Sequence, residues 1–124
     1  MARRSSPGLT EAESEVMAAL WRLESASVGD VVAILRRGHQ PSYSTVQTIL
    51  RILETKGYVT HDKVARAFIY RPVVDQRQAR RRALRHLMSR LFDGSPSLLI
   101  LNVLEDEDID PAERTRLRKL IERS

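Results

Sequence analysis

Pro41-Ser42-Tyr43-Ser44-Thr45-Val46-Gln47-Thr48-Ile49-Leu50-Arg51-Ile52-Leu53-Glu54-Thr55-Lys56-Gly57 decides how this chain is read. Pro41 and Ser42 are residues that open and cap a helix, and Gly57 stands where a helix stop takes positive φ. Val46, Ile49, Leu50 and Leu53 recur at helical spacing and predict one core-facing side. The other side carries Ser44, Thr45, Gln47, Thr48 and Arg51, which are short polar groups and one guanidinium in place of the Glu/Lys mixture of a solvated helix. Such a face fits closely against base edges and phosphates, so the stretch reads as a recognition helix.

Upstream, Thr10-Glu11-Ala12-Glu13 is a capping box with Leu9 as the staple residue ahead of it. The box opens a helix whose apolar positions are Val16, Met17, Leu20 and Leu23, with Trp21 alongside as a core or subdomain contact. Ser27-Val28-Gly29-Asp30 repeats the cap pattern and opens a second helix through Val31, Val32, Ile34 and Leu35, closing at Arg36-Arg37-Gly38. The Glu24 to Ser27 link has room for an abbreviated strand. Two helices joined by a short Gly-containing link, the second polar on its outer side, form the helix-turn-helix pattern.

After Gly57 the period changes. Tyr58-Val59-Thr60-His61-Asp62 and Ala67-Phe68-Ile69-Tyr70-Arg71 are rich in β-branched and aromatic residues and flank Lys63 to Arg66, which predicts a hairpin closed by Pro72. Three helices followed by a hairpin with a basic tip make a winged helix. His61 and Asp62 read as solvent-facing strand residues.

Asp75 caps a further helix of about five turns ending at Asp93-Gly94, with Leu84, Leu87, Met88 and Leu91 on its apolar stripe among six arginines. Ser95-Pro96 starts another helix, through Leu98, Leu99, Ile100, Leu101, Val103 and Leu104. This helix is apolar nearly all round and therefore expected to be buried. Asp110-Pro111-Ala112-Glu113 combines a cap, a first-turn proline and a box acid ahead of Leu117, Leu120 and Ile121. Short helices cannot bury so apolar a segment within one protomer, which predicts packing against a second copy.

Composition narrows the function classes. The chain of 124 residues has no cysteine, which excludes disulfides and thiolate chemistry, and its three histidines have no metal-ligand spacing. No cofactor is expected. No Gly-rich phosphate loop or plausible nucleophile with a nearby base speaks for an enzyme. No apolar run approaches the about 20 residues of a membrane span and no signal peptide is visible, so a cytoplasmic protein without membrane insertion is expected. The net charge of +5 is unevenly spread: six Lys/Arg against one acid over residues 75–92, then five against eight over residues 93–124. A nucleic-acid-binding front with a differently employed rear has that asymmetry.

The fold class expected is mainly α with a small β-hairpin. Residues 1–8 form a disordered basic arm, 9–74 a winged helix-turn-helix domain, and 75–124 a three-helix dimerisation element. The function expected is sequence-specific binding of double-stranded DNA by a homodimer. The competing reading is a winged-helix protein-interaction module without specific DNA binding.

Several stretches together resemble the penicillinase-repressor family of bacterial winged-helix regulators. Leu9-Thr10-Glu11-Ala12-Glu13 with Val16-Met17 and Leu20-Trp21 is similar to its opening helix. Ser42-Tyr43-Ser44-Thr45-Val46 with Thr48, Leu50, Leu53 and Lys56-Gly57-Tyr58 is similar to its recognition helix, and Arg66-Ala67-Phe68-Ile69-Tyr70 to its wing. Ser97-Leu98-Leu99-Ile100-Leu101-Asn102 is similar to the segment where members undergo regulatory proteolysis.

The resemblance implies a dimeric repressor of antibiotic-resistance genes that occludes a pseudo-palindromic operator. In members that respond to β-lactams, it is cleaved after a membrane-bound sensor protease signals. On this sequence the implied DNA contacts are Ser42, Tyr43, Ser44, Thr45, Gln47, Thr48, Arg51 and Arg66. The implied dimer residues are Leu84, Leu87, Met88, Leu91, Leu98, Leu101, Leu104, Leu117, Leu120 and Ile121, and the implied scissile bond is Asn102-Val103. Gln47 and Ile52 stand where many members carry a basic residue, Ala65 where the wing often has glycine, and Val103 where cleaved members tend to have phenylalanine.

Overall fold

The computed structural model describes residues 8–35 and 41–123. The expected arm, the Arg36-Arg37-Gly38 helix end and the link to Pro41 fall largely outside them. The order of elements is α1 (Glu11–Leu23), β1 (Ala26–Ser27), α2 (Val28–Ile34), α3 (Tyr43–Thr55), β2 (Val59–Val64), β3 (Ala67–Pro72), α4 (Gln76–Leu91), α5 (Pro96–Glu105) and α6 (Pro111–Arg123). The chain divides into two compact units, Met1–Ala83 and Leu84–Ser124, with the division inside α4.

The helix starts are where the caps predict them. Thr10 Oγ1 accepts from Glu13 N (3.1 Å) while Glu13 Oε1 accepts from Thr10 N (2.9 Å), and Ser27 and Asp30 repeat the exchange at α2. Asp75 and Gln78 make the same reciprocal pair at the start of α4. Such boxes satisfy backbone donors that the first helical turn leaves without partners. At α6 the box does not form. Asp110 Oδ1 accepts from Ala112 N, two residues on, and Glu113 instead pairs with Arg116 at 3.2 Å, a cation three residues along the same helix face.

In the first unit α1, α2 and α3 close over a three-stranded antiparallel sheet of order β1-β3-β2. Val16, Met17, Leu20, Val31, Val46, Leu50, Leu53 and Tyr58 form the centre of its core. Trp21 packs at the edge and its indole Nε1 donates to Val74 O at 2.9 Å, tying α1 to the chain leaving β3. Ala79, the buried residue of α4, completes the core.

The hairpin pairs from Val59↔Pro72 to Val64↔Ala67. Its turn is therefore only Ala65-Arg66, shorter than the Lys63 to Arg66 link expected, and Ala65 takes φ +56°. A two-residue turn with positive φ matches the right-handed twist of the strands, which lets the ladder run further than side-chain alternation suggests.

In the second unit α5 and α6 touch, and neither holds a buried residue. Burial of α5 is expected against a second copy and not within one protomer, and within one chain the helix is uncovered. Leu98, Ile100 and Leu101 are exposed on it, and the apolar character of a segment does not itself supply the surface that covers it.

Candidate nucleic-acid interface

Three fully buried residues set the rotation of α3: Val46, Leu50 and Leu53 are each 0% exposed. With that side fixed, Ser44, Thr45, Thr48, Arg51, Ile52 and Thr55 are exposed. Ser42 caps the helix, its Oγ accepting from Thr45 N at 3.2 Å and lying 2.8 Å from Thr45 Oγ1. The other end closes with Gly57 at φ +83°, where Tyr58 N donates to Leu53 O and Gly57 N to Glu54 O. That double bond pattern is the Schellman stop, which glycine permits without steric cost. A helix so fixed at both ends and along its buried side presents its outer side in one orientation.

Arg51 is exposed and has no carboxylate within ion-pair distance among the described residues, leaving the guanidinium available. Arg66 sits at the exposed tip of the wing. Gln47 departs from the expectation of an outward position. It is half-buried and, with Tyr43, Arg66, Ser27 and Phe68, lines a groove of about 280 Å³ between the start of α3 and the wing. The expected contacts thus fall into two sets: Ser42, Ser44, Thr45, Thr48 and Arg51 along α3, and Tyr43, Gln47 and Arg66 around the groove.

The residues joining helix and wing are polar. His61 Nδ1 lies 2.7 Å from Glu54 Oε1, and its ring is 4.7 Å from that of Phe68 and 5.2 Å from that of Tyr70. His61 is therefore half-buried and partnered, and not solvent-facing as expected; strand alternation alone does not show that α3 covers this side. Asp62 does face outward, 3.4 Å from Arg71. Burial pushes the Tyr70 hydroxyl above the ordinary tyrosine range, Glu54 adds to the shift, Arg51 opposes it, and Tyr43 raises it further.

Residues 9–123 match the family described as Penicillinase repressor. The chain belongs to the penicillinase-repressor family. Its relatives include the penicillinase repressor of Bacillus licheniformis, 29% identical over 94% of this chain and 91% of that protein. The methicillin resistance regulatory protein MecI of Mammaliicoccus sciuri is 25% identical over 91% of this chain and 92% of that protein. Solved structures similar to this penicillinase-repressor family chain include two of BlaI. One is the solution structure of the DNA-binding domain of the repressor BlaI, with a TM-score of 0.52 and 33% identity, covering 61% of this chain and 93% of that one. The other is the Bacillus licheniformis BlaI monomeric form in complex with the blaP half-operator, with a TM-score of 0.50 at the same identity and coverage. The winged-helix fold is thereby shown for this family member.

Two features of the repressor-family site escaped sequence reasoning. The Glu54–His61 pair joins residues seven apart across a helix stop, a separation with no periodic signature. Ile52 on the outer side of α3 was legible as a departure from the family's basic residue, but its exposure follows only once Val46, Leu50 and Leu53 fix the rotation.

Proposed function

We propose that the chain is a homodimeric, sequence-specific DNA-binding transcriptional repressor. Thr45, Thr48 and Arg51 face the major groove, and Ser42, Tyr43 and Ser44 lie at phosphates where the first peptide N–H groups of α3 point outward. Gln47 flanks the groove side, and Arg66 rests the wing on the sugar-phosphate backbone. The observation that carries this reading is the orientation of α3, whose buried valine and leucines turn outward short polar groups and an arginine without an acidic partner among the described residues. The similarity to a BlaI chain in complex with a half-operator supports the same assignment.

Dimerisation is supported by the apolar residues left exposed in one chain. Leu84, Leu87, Leu91, Leu98, Leu101, Leu120 and Ile121 are all exposed, with Met88, Leu104 and Leu117 half-buried beside them. A two-fold pair would place two recognition helices about 34–36 Å apart, one DNA turn or a multiple of it, on a pseudo-palindromic operator. Relief follows from proteolysis at Asn102-Val103 inside α5, in response to β-lactam or cell-envelope stress sensed by a membrane-bound protease or passed to a downstream one. Cutting there removes apolar surface that the dimer needs. Loss of the second half-site lowers apparent affinity about 10²-fold or more with every DNA-contacting residue intact.

Among the described residues no helix is long and apolar enough to cross a membrane. Mapping bound promoters across the genome, followed by salt titration of binding to the recovered fragments, tests the reading. Specific sites with a steep salt dependence are expected; binding only to proteins, with none to DNA, is the outcome that ends it.

A further inference from the structure

Ile52 is an aliphatic side chain, 39% exposed, on the outer side of α3 beside the exposed Thr48 and Thr55. Its neighbour Ile49 packs against the core, whereas Ile52 does not join it. Thr48 stands one turn before Ile52 and Thr55 just under one turn after, so the three side chains are surface neighbours. Both threonine hydroxyls have committed their protons: Thr48 Oγ1 donates to Ser44 O at 2.9 Å and Thr55 Oγ1 donates to Arg51 O at 3.0 Å. A threonine bonded back to its own helix meets a partner with its methyl and its lone pairs, not with a donor. The Thr48–Ile52–Thr55 strip is thus apolar in character although two of its three members are polar by name.

An apolar strip beside a free guanidinium, on a side that faces a major groove, has one matching group there. Among the base edges of that groove the thymine 5-methyl is the apolar one. We propose that Ile52, with Thr48, is a specificity-determining residue that packs on thymine methyl groups and selects T·A pairs at one or two positions in each half-site. The proposal rests on the DNA-binding reading above and deepens it. It differs from base recognition by Arg51, which takes hydrogen bonds, because the methyl contact adds no charge and its contribution is independent of salt.

Deoxyuridine removes the 5-methyl and leaves every hydrogen-bonding edge in place. The test uses the full chain and a duplex that the chain itself selects from a random pool, with each thymine replaced in turn by deoxyuridine and affinity read by fluorescence anisotropy. At one or two positions per half-site the replacement is expected to weaken binding about fourfold per methyl, in keeping with about 0.8 kcal/mol per buried carbon. Ile52→Ala, a substitution at an exposed position, is expected to make the thymine and deoxyuridine duplexes bind equally there, and Ile52→Val to keep part of the difference. Equal affinity for every deoxyuridine duplex, with Arg51→Ala still weakening binding, overturns the proposal and leaves the DNA-binding reading standing. A deoxyuridine effect that Ile52→Ala leaves unchanged overturns it as well. Failure to select any duplex sinks both.

Discussion

His61 Nδ1 and Glu54 Oε1, 2.7 Å apart, join the wing to the last turn of the recognition helix. On the wing side the His61 ring lies against Phe68 and Tyr70, so the contact ties the hairpin to α3 through a side chain that the hairpin itself holds. His61→Ala removes a hydrogen bond to a charged group and a ring contact, and should destabilise the first unit by about 1.5–3 kcal/mol. Denaturant titration checks the size, and amide exchange checks the place: β2 and β3 should exchange faster than α1. Uniform acceleration across all three helices would count against a local role.

Lys56 and Glu13 form a second tie, 2.7 Å apart with both side chains only 6% exposed. Lys56 Nζ also donates to Gly8 O, and Glu13 is the box acid of α1, so one carboxylate serves two elements. Lys56→Met leaves Glu13 buried without its cation and should cost about 3–5 kcal/mol, while adding Glu13→Gln should restore part of the loss. Equal midpoints for the single and double variants in urea would contradict this.

Arg51 and Arg66 should fail differently on DNA. Arg51→Ala should cost about 1–3 kcal/mol and relax preference at one position per half-site. Arg66→Ala should weaken all sequences about equally and lower the salt slope by about one unit. Anisotropy titrations over a range of salt and over single-base operator variants separate the two patterns; operator affinity unchanged by Arg51→Ala would remove it from the base-reading set.

Sedimentation tests assembly. The intact protein should run at twice its chain mass of 14.2 kDa, and Leu101→Asp should run at the single mass with its first unit folded. A wild type that sediments cleanly as a monomer at micromolar concentration would remove the two-fold arrangement from the mechanism.

Mass spectrometry of the protein from induced cells tests the switch. The bond after Asn102 lies within α5, where the Asn102 side chain donates to Leu98 O at 2.8 Å, so cleavage requires local opening of that helix. Fragments ending at Asn102 and starting at Val103 are expected. Intact chain alongside full derepression would mean a different switch.

The features legible in the sequence are those set by local chemistry. The Thr10/Glu13 and Ser27/Asp30 boxes, the Ser42 cap and the Gly57 stop each operate within a few residues, and all four form as read. The wing was legible as a hairpin, but its turn was not, because Ala65 adopts a backbone angle that its identity does not advertise. His61 was misread since the element covering it, α3, is distant in period although near in sequence. The apolar run of α5 reads as needing cover from outside its own chain, and Leu98, Ile100 and Leu101 are exposed within it. Gln47 divides the same way: it falls among polar residues along the helix, and the wing then half-covers it.

Trp21, whose indole is bonded to Val74 O, is the sole tryptophan, and the three tyrosines Tyr43, Tyr58 and Tyr70 lie in the same unit. All the ultraviolet chromophores beyond phenylalanine therefore belong to the first unit, while α5 and α6 contribute to far-ultraviolet dichroism alone. Melting followed by indole emission will be blind to the second unit, and melting followed at the helical band will see both. The gap between the two curves measures how independently the halves unfold, without a label or an added probe.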